Sequence, residues 1–213
     1  MGLRLCAYDR RFPRRDPTMA LDDTALASLF ADAHTYTRWQ ERAVHDDLLR
    51  KLYDTLKWAP TGANSQAGRF VFVKSPEARE RLKPALDEGN VRKAMTAGAT
   101  AIIAADFEFY EHLHRLYPVA PDARSWFAGN PQAIEFAATR DATLQGAYLI
   151  LAARALGLDC GPMGGFNRAK VDAEFFAGTQ YRSIFLVNLG YGAADGHYPR
   201  NPRFGFDEAC KIL

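Results

Sequence analysis

"WAPTGANSQAGRF", residues 58–70, decides how this chain is read. A helix-like run stops at Ala59-Pro60, because the residue before a proline is pushed out of helical dihedrals. Small and polar residues follow, and then an apolar strand pattern, "FVFV". A plain connection needs only a turn. This one also presents the amides of Asn64 and Gln66, the hydroxyls of Thr61 and Ser65, and glycines that permit close backbone approach. A side-chain amide offers a donor and an acceptor together, which suits the edge of a polar heterocycle.

Upstream of this stretch, "VHDDLLRKLYDTLKWA" (44–59) and "LDDTALASLFADA" (21–33) carry apolar residues at helical spacing. Downstream, "RFVFV" reads as a buried strand, Lys74-Ser75-Pro76 starts a short helix, and "ATAIIAA" reads as a second buried strand. Residues 106–133 are irregular and rich in aromatics and proline, as in a lid or an excursion lining a pocket. Residues 134–156 form a long helix, apolar almost all round, which belongs in a core or between subunits. A glycine-rich "GPMGG", a small helix around "VDAEFF" and a third strand, "SIFLVNLGYG", complete the body. Helices and strands are interleaved without regular alternation, which favours an α+β architecture.

At 213 residues with 48% apolar content, the chain can bury a full core as one domain. It has no uninterrupted apolar run of the roughly 18 residues that a membrane span needs. The formal charge of +2 is a property of one end. Residues 1–18 hold five arginines against Asp9 and Asp16, leaving 22 basic and 23 acidic residues in the remainder. Nothing in that balance advertises a nucleic-acid surface. Residues 1–18 read as a disordered arm or as sequence upstream of a true start at Met19, and residues 19–213 as one domain. Cys6, Cys160 and Cys210 are widely spaced and odd in number, which suits a reducing cytoplasm and neither a disulfide framework nor a zinc site.

Familiar catalytic signatures are absent from the sequence. It has no Gly-x-Ser-x-Gly elbow and no phosphate loop ending in Lys-Ser or Lys-Thr. "GYGAAD" lacks the third glycine of a dinucleotide fingerprint, and His112 and His114 have no carboxylate at metal spacing. Four segments remain: "HTYTRW" (34–39), "PTGANSQ" (60–66), "GPMGG" (161–165) and "PRNPRF" (199–204). Each alone reads equally as an ordinary helix end, turn or solvated arm. Together they offer arginines and hydroxyls for a phosphate, amides for a heterocycle edge, and bare backbone on which a flat ring could lie. A ligand with a phosphate at one end and a polar aromatic ring at the other would use all four, and FMN is such a molecule.

The order of these segments resembles the nitroreductase family of FMN-dependent oxidoreductases, over nearly all of residues 20–213. Ala59 to Gln66 is similar to the family's helix-end "APSS-x-N-x-Q-P" motif. "TLKWAPTGANSQAGRFVF", "DARSWF", "GAYLILAARALGLDCGPMGGF" and "NLGYG" with a later R-x-P-R are similar to one branch. That branch contains the malonic semialdehyde reductase of pyrimidine utilisation, also called 3-hydroxypropanoate dehydrogenase. The resemblance implies a three-layer α+β fold, with a mixed central sheet flanked by helices, in a homodimer with FMN at the interface. It implies that Thr35 and Arg203 hold the phosphate, with Arg200 beside them, and that His34 and Thr37 lie along the ribityl chain or the pyrimidine side. Asn64, reaching from the partner subunit, would address the ring edge with Gln66, while Gly164 and Gly165 would bring N–H groups near the flavin N5. Turnover would pass hydride from NADH or NADPH to a small acceptor, with no catalytic acid or nucleophile in the protein. The leading acceptor is malonic semialdehyde. The alternatives are a nitroaromatic or quinone, or a protein that binds FMN without turnover. The sequence departs from the family where Thr37 and Asn201 replace common cations and where Ala33 stands at the head of the first loop. Arg38 or Arg200 is then the candidate to support reduced flavin.

Overall fold

The computed structural model describes residues 20–213, so the arginine-rich stretch 1–18 lies outside the described residues. Its centre is a four-stranded sheet in the order β1-β2-β4-β3. The strands are β1 (Gly68–Val73), β2 (Ala99–Asp106), β3 (Asp159–Met163) and β4 (Tyr181–Gly190). All eight positions of β2 are buried, as a continuous apolar run in a central strand requires. Its side chains alternate between two cores. Ala101 and Ile103 face one layer, while Ile102 and Ala104 face the other.

The first layer holds α2 (Asp46–Leu56) and the long α6 (Pro131–Ala155), packed on the sheet through Leu49, Leu52, Leu56, Leu149 and Ala153. The second holds α3 (Pro76–Leu82) and α7 (Arg168–Phe175), which contribute Leu82 and Val171. Helix on sheet on helix is the three-layer α+β arrangement the sequence implies. Ser75 caps α3 by accepting from the Ala78 N–H, with Pro76 in the first turn.

Several expectations need correction. The strands pair antiparallel throughout, where the resemblance implies a mixed sheet. Among the described residues, parallel pairing is confined to a single bridge, Thr35 with Cys160. The segment "DCGPM", read as part of a turn, is the edge strand β3. An edge position tolerates Pro162, because a strand paired on one side can spare the missing donor. The sequence reading assigns nothing to residues 83–98, where α4 (Glu88–Thr96) forms. Helix α6, expected in a core or between subunits, shows two faces in the single chain. One face lies on the sheet, and Phe136, Leu144 and Tyr148 line an exposed face with Arg140 at four-residue spacing. Two short helices complete the elements used below, α1 (Asp23–Leu26) and α5 (Leu113–Leu116), and α8 (Phe206–Ala209) lies near the end of the chain.

The bare backbone of "GPMGG" has a purpose within the chain. A Cβ on Gly161 would stand 2.5 Å from the Tyr36 carbonyl oxygen, so its absence lets residues 34–39 lie against β3. Gly161→Ala therefore destabilises the protein by about 1–3 kcal/mol, as overpacking does, because backbone must move rather than a side-chain tip. Chemical denaturation measures this, and an unchanged midpoint would refute the close packing. Beside it, burial pushes the Cys160 thiol up to about 12. At about pH 8 it stays protonated and unreactive. Alkylation of native protein followed by peptide mapping should leave Cys160 unmodified while the exposed Cys210 reacts.

Candidate functional site

Helix α1 runs on into a π-turn over Ala27–Ala31. The end of such a turn leaves carbonyls without donors from its own segment. Two arginines from distant parts of the chain take them. Arg154, near the end of α6, donates through Nη1 to the Leu29 carbonyl at 2.8 Å. Arg200 donates through Nη2 to the carbonyls of Ala31 and Ala33, the second at 3.1 Å. The following loop is then fastened on both sides. The Tyr36 N–H donates to the Cys160 carbonyl at 3.0 Å, and Thr37 donates its N–H and its hydroxyl to the Gly196 carbonyl at 2.7 and 3.0 Å.

These contacts shape a cavity of about 360 Å³ whose walls include His34, Thr35, Arg154, Arg200 and Arg203. No carboxylate lines it among the described residues. Arg154 Nε is buried and makes no hydrogen bond to a described residue. An unpaired buried donor costs about 1–3 kcal/mol, more when charged, so this guanidinium is only partly satisfied by the chain. Guanidinium forks match the oxygens of a phosphate. The His34 and His197 rings stack with centroids 3.9 Å apart, and Tyr36 meets His197 edge-on. Burial holds the His34 pKa below its ordinary value, helped by the positive charges of His197 and Arg200 and opposed by Asp32.

The turn at residues 60–67 forms a second, separate feature. Ala63, Asn64 and Gln66 have φ of 50°, 48° and 44°. This left-handed region costs a non-glycine residue about 1–2 kcal/mol. Gly62, the glycine of this turn, is not left-handed. Its missing Cβ instead leaves room for the Arg140 guanidinium. The strained residues are held by buried polar contacts with α6. Ser65 donates its hydroxyl to Asp141 Oδ2 at 2.7 Å, and Gln145 Oε1 accepts from the Gly68 N–H at 2.7 Å. Asn64 Nδ2 donates to the Leu116 carbonyl at 2.8 Å, and Gln66 Nε2 to Asn64 Oδ1 at 3.2 Å.

The single chain thus brings His34, Thr35, Arg200 and Arg203 into one cavity. Asn64 and Gln66 sit together elsewhere, and Gln66 lines a different cavity. Thr37 lies beside the first cavity with its hydroxyl committed to Gly196. Arg203 is exposed, with Nη1 donating to the carbonyls of Asn201 and Pro202. Gly164 and Gly165 follow β3. The Gly165 carbonyl accepts from Asp87 and Asn90, while neither glycine's N–H donates to a described residue. Arg38, a candidate to replace the missing cations, is paired with Asp195 at 2.9 Å. Sequence reasoning missed Arg154, Ser65, Asp141 and Gln145. The available signal was charged and amide residues within an otherwise apolar helix, Asp141 and Gln145 being one turn apart.

A sequence model described as the nitroreductase family matches residues 35–191. A protein of Burkholderia lata, named by inference NADH dehydrogenase/NAD(P)H nitroreductase, is 61% identical over 192 residues. That match covers 90% of this chain and 98% of the relative. Among solved structures, a protein of Exiguobacterium sibiricum assigned as a nitroreductase, in complex with FMN, superposes with a TM-score of 0.80 at 19% identity. It covers 91% of this chain and 98% of its own. An enone reductase of gut-bacterial fatty acid saturation metabolism superposes with a TM-score of 0.77 at 22% identity, covering 88% and 97%. Both structures share the fold.

The lowered His34 pKa fixes a sign. The unfolded state takes up its proton first, so the neutral ring's contribution is complete above about pH 6.5. It is lost as pH falls from there through the folded-state value. An anion in the cavity reverses the shift, because negative charge favours the imidazolium. Titration followed by NMR, with His34→Gln identifying the resonance, should show the midpoint rising when inorganic phosphate or FMN is added. A midpoint indifferent to both would place the anion elsewhere.

Proposed function

Because the chain belongs to the nitroreductase family, we propose that it is an FMN-dependent NAD(P)H oxidoreductase passing hydride to a small acceptor in two alternating half-reactions. The observation that carries this reading is the cavity lined by Arg154, Arg200 and Arg203 with no carboxylate among its described lining residues. Arg154, Arg200 and Arg203 would hold the FMN phosphate, with Thr35 and His34 supplying a hydroxyl and a ring nitrogen. When bound, FMN supplies reversible two-electron hydride chemistry. The chain's own task is to bind, orient and shield. Gly164 and Gly165 keep two N–H donors free at the end of β3, and Gly164 is open to solvent.

Asn64 and Gln66 line neither the arginine cavity nor its rim, which supports their serving the cofactor of a second copy. The exposed apolar residues Phe136, Leu144 and Tyr148 on α6, with Tyr53 and Trp58 at α2, supply a surface for that copy. A homodimer with FMN between subunits uses both features.

The acceptor we favour is malonic semialdehyde or a related aldehyde, on the strength of the shared patterns at residues 55–72 and 146–166. One hydride from NAD(P)H would reach the carbonyl carbon and one proton from solvent the oxygen, yielding NAD(P)+ and the alcohol. The name carried by the Burkholderia lata relative supports a second reading, in which the acceptor is a nitroaromatic. The purified protein should be yellow, bleach with NADH or NADPH, and recolour with a true acceptor. A yellow protein that never bleaches is a binding protein, and one that cannot take up FMN sinks the proposal. Arg154→Met should weaken FMN binding about 10- to 100-fold, the equivalent of 1.5–3 kcal/mol, while leaving riboflavin affinity nearly unchanged. Equal loss for both ligands would mean that Arg154 serves only the fold.

A further inference from the structure

The cavity that Gln66 lines holds about 480 Å³ and lies between the strained turn, β1 and α5. Tyr53 and Phe70, packed edge to face at 6.2 Å, give it an apolar wall. Its polar lining consists of Gln66, Arg69, His112, Arg115 and Gln145, with no carboxylate. These groups are not equivalent. Arg69 is committed, donating to Asp106 at 2.5 Å and to the carbonyls of Gln66 and Gly68. Asp106 is buried behind it, and His112 Nε2 lies 3.7 Å from the same carboxylate. Asp106 therefore balances Arg69 and faces His112, leaving Arg115 uncompensated.

Arg115 makes no hydrogen bond or ion pair with a described residue, yet its backbone is fixed. The neighbouring Leu116 carbonyl accepts from Asn64, which ties α5 to the turn. Gln145 is buried, spends Oε1 on Gly68, and keeps its NH2 group without a partner among the described residues. The cavity thus carries a buried amide NH2 without a partner among the described residues and, at its exposed edge, a guanidinium with no carboxylate beside it, against an apolar wall. A small carboxylate supplies the missing acceptors and charge.

We infer that this cavity binds the carboxylate of the acceptor through Arg115 and the Gln145 amide, so that small aldehyde acids are preferred over neutral acceptors. The inference rests on the proposed oxidoreductase reading, in which Gln66, at the wall of this cavity, would serve the cofactor of the second copy. The redox balance is that of the aldehyde reduction above, and the carboxylate itself is unchanged.

The test compares malonic semialdehyde with propanal, which has the same three-carbon chain and no charge, using FMN-loaded protein and NADH. The native protein should prefer the acid. Arg115→Gln should reduce the ratio of the two kcat/KM values roughly tenfold or more, through the KM of the acid, and Arg115→Lys should retain part of the preference. An unchanged ratio, or a rise in the KM of NADH alone, overturns the assignment. Calorimetry with 3-hydroxypropanoate separates this inference from the reading beneath it. If the protein is never reduced by NAD(P)H, the oxidoreductase reading fails, while a roughly tenfold loss of affinity in Arg115→Gln still supports the carboxylate site. Equal affinity in both proteins removes it.

Discussion

Two buried polar side chains of α6, Asp141 and Gln145, hold the turn at residues 60–67 in a conformation it would not otherwise keep. Three non-glycine residues in the left-handed region store a few kcal/mol of backbone strain. Asp141 accepts the Ser65 hydroxyl and the Arg140 guanidinium, and Gln145 accepts the Gly68 N–H. Charge-assisted and buried hydrogen bonds are worth about 1–3 kcal/mol each, enough to offset that strain. The hold on the turn also fixes what depends on it. Asn64 reaches Leu116, the 113–116 helix is placed, and Gln66 is presented at the mouth of a cavity.

The same helix serves the other cavity at its far end. Arg154 lies three to four turns beyond Asp141, where it spends one nitrogen on the π-turn and leaves another buried and unpaired. One helix thus sets the distance between an arginine-lined cavity and an amide-bearing turn, which sites on loops alone could not do. The sheet contributes stiffness rather than chemistry. Its edge strand, lacking a donor at Pro162 and a side chain at Gly161, gives the 34–39 loop a surface on which to settle.

Much of this was legible in the chain. The strands at 69–73, 99–105 and 183–190 announce themselves by apolar runs, and Pro60 and Pro76 mark a helix end and a helix start. The candidate residues of the first cavity follow from arginines and hydroxyls in two loops. Strand β3 was hidden because its sequence, with glycine and proline, satisfies no local strand pattern and becomes a strand only by pairing with β4. Arg154 was hidden because an arginine near the end of a largely apolar helix reads as a solvated exception.

The sequence by itself determined the family, through the resemblance of its motifs, and the α+β class and the loops that carry polar chemistry, through composition, spacing and short-range periodicity. Tertiary structure alone decided which of those loops meet. It put Arg154 on a carbonyl 125 residues away and Ser65 on a carboxylate 76 residues away, and it gave Gly161 and Gly62 close approach to Tyr36 and Arg140. The physical reason is that a guanidinium or hydroxyl has no preferred partner along the chain. Its partner is whichever unsatisfied group the packed layers bring within reach.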